Sequence, residues 1–367
     1  MFEATICRWR SNASAAVSCT FDDGYEETYE STAPLFRELN IRPTYFIATA
    51  IVGQILGGFQ VADWDTWKQA SSLGFEVGSH GLTHNICDVS LADKLAILSS
   101  SFRDHQRVSW YARRILGDVQ RRLTRINRRA LTRTALPDTS YRELIESKKR
   151  IEERIPQYAV ASCAYPFGAY TLSLKDQVRK AGFISARSTD PGLNSGTLDL
   201  YALKCCSWVK STDLGRANSW VEAAIKDKGW LIEAHHLVTK EDSVTWKYQT
   251  RFQDLRRHLE DTLSKSVWVE AQKSVAKYVV ERSKTYLSLS AEKNSEVSFS
   301  AFSGLDPRIY DEPLTIRVRV PSDWKKVRVI FDSRNEGAAA IEFQKKSKYA
   351  YFEMKPARKH ISLIRED

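Results

Sequence analysis

The chain has 367 residues, 43% of them hydrophobic and 27% charged, with a formal net charge of +10 at pH 7. That length suits roughly two to three domains, or one large α/β barrel with additions, and the composition excludes a globally disordered chain. No apolar run reaches the ~18 residues a membrane span requires.

The opening "MFEATICRWRSNASAAVSC" has no apolar stretch of signal-peptide length after its basic residues, so the expected compartment is the cytoplasm. The first strand-like run, "AAVSCTF" near 15–21, ends abruptly on Asp22-Asp23-Gly24. A turn is the commoner use of Asp-Gly. A turn needs only one Asp, however, and the second reading is a site where one carboxylate binds a metal and its neighbour handles a proton. Further runs follow at 43–48, 74–79, 158–165, 182–187, 201–208, 229–235 and 266–270. Amphipathic stretches such as "YESTAPLFRELN" and "SLKDQVRKAG" lie between them and end near Asn or Gly, as helices do. Strands alternating with helices imply a parallel sheet with crossovers, and up to eight units imply a closed or nearly closed (β/α) barrel. Its chemistry is expected at the C-terminal strand ends, where Asp22 and Asp23 fall.

"EVGSHGLTHNI" follows the third run. His80 and His84 are four apart, so a helical turn would face both imidazoles the same way. With an Asp from another strand end they would form a two-His-one-carboxylate set with open coordination positions. Two segments break the rhythm. Residues 91–156 read as a helical insertion, and the stretch from Arg103 to Arg133 holds ten arginines, two aspartates and no lysine or glutamate, +8 of the net charge. Within it Val108, Tyr111, Ile115, Val119, Leu123, Ile126 and Ala130 recur at helical steps, with Arg113, Arg114, Arg121, Arg125 and Arg128 on the opposite face. Those arginines are either a solvated face or a contact for an anionic membrane at its inner face or a sugar phosphate. Nucleic acid is disfavoured, because no aromatic interleaving accompanies the charge. From Thr285 onward alternating runs predict a small β-sandwich. The expected division is 1–285 for the barrel and 286–367 for the β-rich domain. The six cysteines show no Cys-x-x-Cys spacing, and adjacent Cys205-Cys206 reads as structural.

"TFDDG", followed by "SHGLTH", resembles the NodB-homology polysaccharide deacetylases, carbohydrate esterase family 4. The resemblance covers roughly residues 10–285 apart from 91–156, and "AYPFGAY" at 164–170 and "GWLIEAHHLV" at 229–238 look like later motifs of that family. It implies a distorted (β/α) barrel and a metal-dependent hydrolase that removes an N-acetyl or similar acyl group from an amino sugar in a glycan or glycan precursor. It implies Asp22 as general base, one divalent metal, with zinc expected, on Asp23, His80 and His84, and His236 as the acid, with His235 as substitute. Pro166, Phe167 and Gly168 would supply oxyanion contacts, and Trp208 a wall of the acyl pocket. Two departures stand out. Ala164 occupies the place of an arginine that steadies the base in many members, and "KCCSW" lacks the usual Asp. A catalytically silent glycan-binding protein and a nucleic-acid-associated protein using the basic helix are the rival readings. The sequence leaves the oligomeric state open.

Overall fold

The computed structural model describes residues 3–84, 139–241, 244–293, 295–321, 323–332, 349–356 and 359–366. The arginines at 113, 114, 121, 125 and 128 and the run "AAIEF" at 339–343, one of the alternating runs expected as strands after Thr285, lie outside the described residues. Contacts divide the chain into two units. One holds Val17–Lys265 with Val269–Lys273; the other holds Met1–Ala16, Ser266–Trp268 and Ser274–Asp367.

In the larger unit seven strands form a closed ring: β1 (Ala15–Phe21), β2 (Thr44–Ile47), β3 (Glu76–Ser79), β4 (Ser162–Ala164), β5 (Ser185–Pro191), β6 (Leu203–Ser207) and β7 (Trp230–His235). They follow one another in chain order around the ring, and β7 pairs back onto β1. The register is parallel, with Phe21 opposite Tyr45, Phe46 opposite Gly78, Cys163 opposite Ala186 and Glu233 opposite Cys206. The eighth expected strand, Val267–Val269, exists but lies outside the ring of seven.

Strands covered on both faces read as near-continuous apolar runs, and all seven residues of β1 are buried. Alternation then sorts the side chains. Cys19 and Phe21 join the layer packed under the helices, where Phe21 meets Phe36 and Tyr45, while Ser18, Thr20 and Asp22 take the other face. The crossovers include α1 (Glu26–Glu38), α2 (Trp64–Ser72), α3 (Thr139–Arg154), α4 (Leu172–Lys180) and α5 (Leu214–Asp227), with α6 (Phe252–Leu263) after β7. Asp63, Thr171 and Asp213 cap α2, α4 and α5 by accepting a backbone N–H three residues on, which satisfies one orphan donor in each first turn. Helix α3 falls inside the segment read from sequence as an insertion. Its Leu144 and Ile151 are buried in the same core as Val77 and Cys163, so it is the crossover that parallel neighbours β3 and β4 require.

Among the described residues the smaller unit has two antiparallel sheets. Ala4–Ile6, Leu314–Arg319 and Tyr349–Met354 form one; Thr285–Lys293, Glu296–Ser303, Lys359–Glu366 and Lys326–Phe331, in that spatial order, form the other. Both feed one core that includes Phe299, Ile316, Val329, Phe352 and Leu363, the two-sheet arrangement that alternation predicts. Its membership differs from a cut at 285/286. The N-terminal strand pairs with Leu314–Arg319, and Tyr278 of the helix Gln272–Lys284 donates its hydroxyl to the Cys7 carbonyl at 2.9 Å. Among the described residues no helix is long and apolar enough to cross a membrane.

Candidate active site

Asp22 and Asp23 end β1 at the C-terminal rim of the ring. Adjacent carboxylates would normally alternate sides, and a left-handed turn at Asp23 (φ 71°) and Gly24 (φ 73°) sets their directions here. A Cβ at Gly24 would lie 3.0 Å from both Ile47 and Trp67, so glycine suits the conformation and the space alike. The Asp22 N–H donates to the His235 carbonyl at 2.9 Å, joining β1 to β7 at the level of the site.

Asp23 meets the two histidines. Its Oδ1 lies 3.2 Å from His84 Nε2 and 3.7 Å from His80 Nε2, and all three residues are buried. His80 Nδ1 is 2.9 Å from the Ala164 carbonyl, a contact that fixes the Nδ1–H tautomer and leaves the Nε2 lone pair toward Asp23. The position that lacks the family's arginine thus contributes its backbone. Burial, outweighing the nearby Asp22 carboxylate, lowers the His80 pKa to about 4, so the ring is neutral and a competent ligand.

The helical turn expected for 80–84 does not form. The segment is an irregular loop with Gly81 at φ 79° and His84 at φ 57°. Glu143 of α3 holds it, accepting the Leu82 and Thr83 N–H groups at 3.1 and 2.9 Å and the Thr83 hydroxyl at 3.0 Å. The rings still converge, with centroids 4.6 Å apart. One ligand atom from each of Asp23, His80 and His84 lies within 4.8 Å of the others. Among the described residues the buried Asp23 Oδ1 has no hydrogen-bond partner, and two imidazole nitrogens face it, a donor set that fits one divalent cation and leaves coordination positions open.

Asp22 faces elsewhere. Arg187 of β5, fully buried, grips both of its oxygens through Nη2, while Nη1 donates to the Ser188 carbonyl at 3.0 Å. Burial alone would raise the Asp22 carboxyl; Arg187, with His80 and His236, outweighs it and holds the pKa at about 2. Arg187 therefore fills the role left vacant at Ala164, from the next strand round the ring. Its sequence signal was a lone arginine inside the apolar run "GFISAR".

The two neighbouring histidines separate cleanly. His236 is partly exposed, with Nε2 3.9 Å from Asp22 Oδ2 and its ring 4.9 Å from that of Tyr248. His236 Nδ1 has no hydrogen-bond partner among the described residues, so nothing there replaces the Asp that "KCCSW" lacks. His235 points the other way, sandwiched between Phe21 and Trp208 at 5.1 Å from each. Trp208 itself is 1% exposed, and its ring contacts are His235, His258 and Trp220, none of them a member of the Asp22 group. The structure therefore puts Trp208 in the packing behind β6 and β7.

Pro166–Gly168 form a single tight turn with Phe167 at φ 60° and Gly168 at φ 70°, and the Phe167 ring lies 4.9 Å from that of His84. Proline has no N–H and the Gly168 N–H donates to the Tyr165 carbonyl at 2.8 Å, so neither offers the oxyanion donor expected of it. A Cβ at Gly168 would stand 2.0 Å from Thr189 Oγ1, which only glycine avoids.

The family model described as Polysaccharide deacetylase matches residues 10–186, a span that includes Asp22, Asp23, His80, His84 and the 166–168 turn. With the closed seven-strand parallel barrel, the match gives residues 10–186, just under half of the chain, the polysaccharide deacetylase type of fold. Arg187, Trp208 and His236 lie beyond the matched span. A gellan lyase of a Bacillus species is 23% identical over 331 residues, covering 89% of this chain but 12% of that protein. IcaB from Ammonifex degensii superposes with a TM-score of 0.32 at 18% identity, covering 47% of this chain and 58% of that one. Wild-type BA3943, a CE4-family pseudoenzyme from Bacillus anthracis, gives 0.42 at 12% identity, with 71% and 65% covered. The chain thus spans less than two thirds of the length of each of these three proteins.

Proposed function

We propose that this chain is a metal-dependent hydrolase that removes an acetyl group from the nitrogen of an amino sugar in a glycan or glycan precursor. The observation that carries the reading is one carboxylate, Asp22, set between Arg187 and His236 and beside the Asp23–His80–His84 group. Asp23, His80 and His84 would hold the ion, with zinc the ion that this nitrogen-and-oxygen set suits. When bound, it supplies Lewis acidity, polarising the amide carbonyl and acidifying water.

The remaining work falls to the chain's own groups. Asp22, kept ionised and oriented by Arg187, accepts the proton of the attacking water. The Phe167 amide donates to the developing oxyanion. His236, the partly exposed member of the group, protonates the departing amine, which cannot leave as an anion.

The test is acetate release from an N-acetylglucosamine oligomer by purified protein, with and without added zinc, against Asp22→Asn. Metal-dependent release that the variant loses supports the reading. Oligomer binding with no release under any metal favours the silent glycan-binding alternative.

A further inference from the structure

A cavity of about 490 Å³ opens between the end of β5 with the segment after it, strand β6 and helix α5, within the range of ~300–1,000 Å³ usual for small-molecule sites. Leu193, Trp220 and Ala223 give it an apolar wall, and Thr189, Ser207 and Arg216 its polar lining. Arg216 is the sole charged residue in that lining among the described residues and is exposed. Among the described residues no carboxylate lies within ion-pair distance of its guanidinium. Asp213, the nearest acid in sequence, has Oδ1 committed to the Arg216 backbone N–H at 2.7 Å as the helix cap, and the first turn of α5 holds no acidic residue.

The cavity shares a wall with the site. Thr189 lines it and also donates its hydroxyl to the Phe167 carbonyl at 3.4 Å, in the turn whose aromatic ring packs on His84. The turn that packs on His84 is thus hydrogen-bonded to a residue that lines the cavity. An aromatic wall suits the apolar face of a pyranose ring, and a guanidinium suits a carboxylate, which it can bind through two parallel N–H bonds.

We propose that this cavity is a subsite for an acidic sugar residue, its ring against Trp220 and its carboxylate on Arg216. The position of that sugar beside the reacting one rests on the deacetylase reading; the preference for negative charge rests on the cavity alone. The experiment is calorimetric titration of the full chain at low salt with two probes. One is a tetrasaccharide of alternating glucuronate and N-acetylglucosamine, the other the neutral N-acetylglucosamine tetramer. The acidic probe should bind at least about tenfold tighter, the contribution of one charge-assisted contact. Arg216→Gln should bring the two within about twofold without lowering the unfolding temperature, and Arg216→Lys should restore part of the preference.

Equal affinities in the wild type, binding of neither probe, or a preference that survives Arg216→Gln would overturn the subsite. Acetate release measured on the same samples keeps the two ideas apart. A charge preference without release from either probe sinks the deacetylase reading and leaves the subsite standing, whereas release without preference does the reverse.

Discussion

Replacing Arg187 with Met removes the cation that holds Asp22 while keeping a long side chain in a fully buried position. In the wild type the Asp22 pKa falls from 3.8 to about 2, a drop equivalent to about 2–3 kcal/mol of native-state stabilisation. A depressed carboxylate pKa contributes fully above the unfolded value, so this stabilisation is present above about pH 4 and is lost as pH falls through about 2. In Arg187→Met burial acts unopposed by its main counterweight. The Asp22 pKa rises, and an uncompensated buried charge costs about 3–5 kcal/mol at pH 7. Urea unfolding of metal-free protein measures the loss, and the acidic limb of the activity profile should move to higher pH. The double variant Asp22→Asn/Arg187→Met has no unpaired charge and should regain much of the stability. A single variant as stable as wild type at pH 7, or a double variant no more stable than the single, would refute the reasoning.

His84→Ala should lose most bound metal on elemental analysis, and full occupancy would exclude the Asp23–His80–His84 set. Glu143→Ala keeps every ligand but frees the 82–83 backbone, so metal affinity should fall about 10–100-fold in a competition titration, as for other groups that orient ligands; an unchanged affinity would mean the loop holds itself. His236→Ala should keep metal and stability and lose activity by about 10²–10⁴. His235→Ala, by contrast, opens the packing between Phe21 and Trp208 and should show first as lower unfolding free energy, by about 2–4 kcal/mol; the opposite pattern would move the acid to His235. In the smaller unit, burial raises the Glu281 pKa to about 8. A carboxyl with a raised pKa contributes stability that is present below its unfolded value near 4.5 and fades as pH climbs through about 8. Glu281→Gln should therefore match wild type near pH 5 and exceed it near pH 9 in thermal melts, and parallel melting curves across that range would count against this.

The sequence by itself determined what depends on neighbours along the chain. Apolar runs covered on both faces become parallel strands wherever they occur, and helices capped by Asp63, Thr171 and Asp213 follow from local hydrogen bonding. That Asp23, His80 and His84 come together was legible too, because a strand that ends in Asp-Asp-Gly and a strand that leads into two histidines four apart both place polar groups at the same rim. What the chain order could not decide was which side chain faces which across the ring. Arg187 reaches Asp22 across 165 residues of sequence, and only closure of seven strands brings β5 opposite β1. Glu143, inside a stretch that read as an insertion, holds the His80–His84 loop only because α3 crosses between β3 and β4. His235 and His236 are chemically identical in sequence. The pleat of β7 sends one into the packing layer and leaves the other beside Asp22, because side chains of successive strand residues must point to opposite faces.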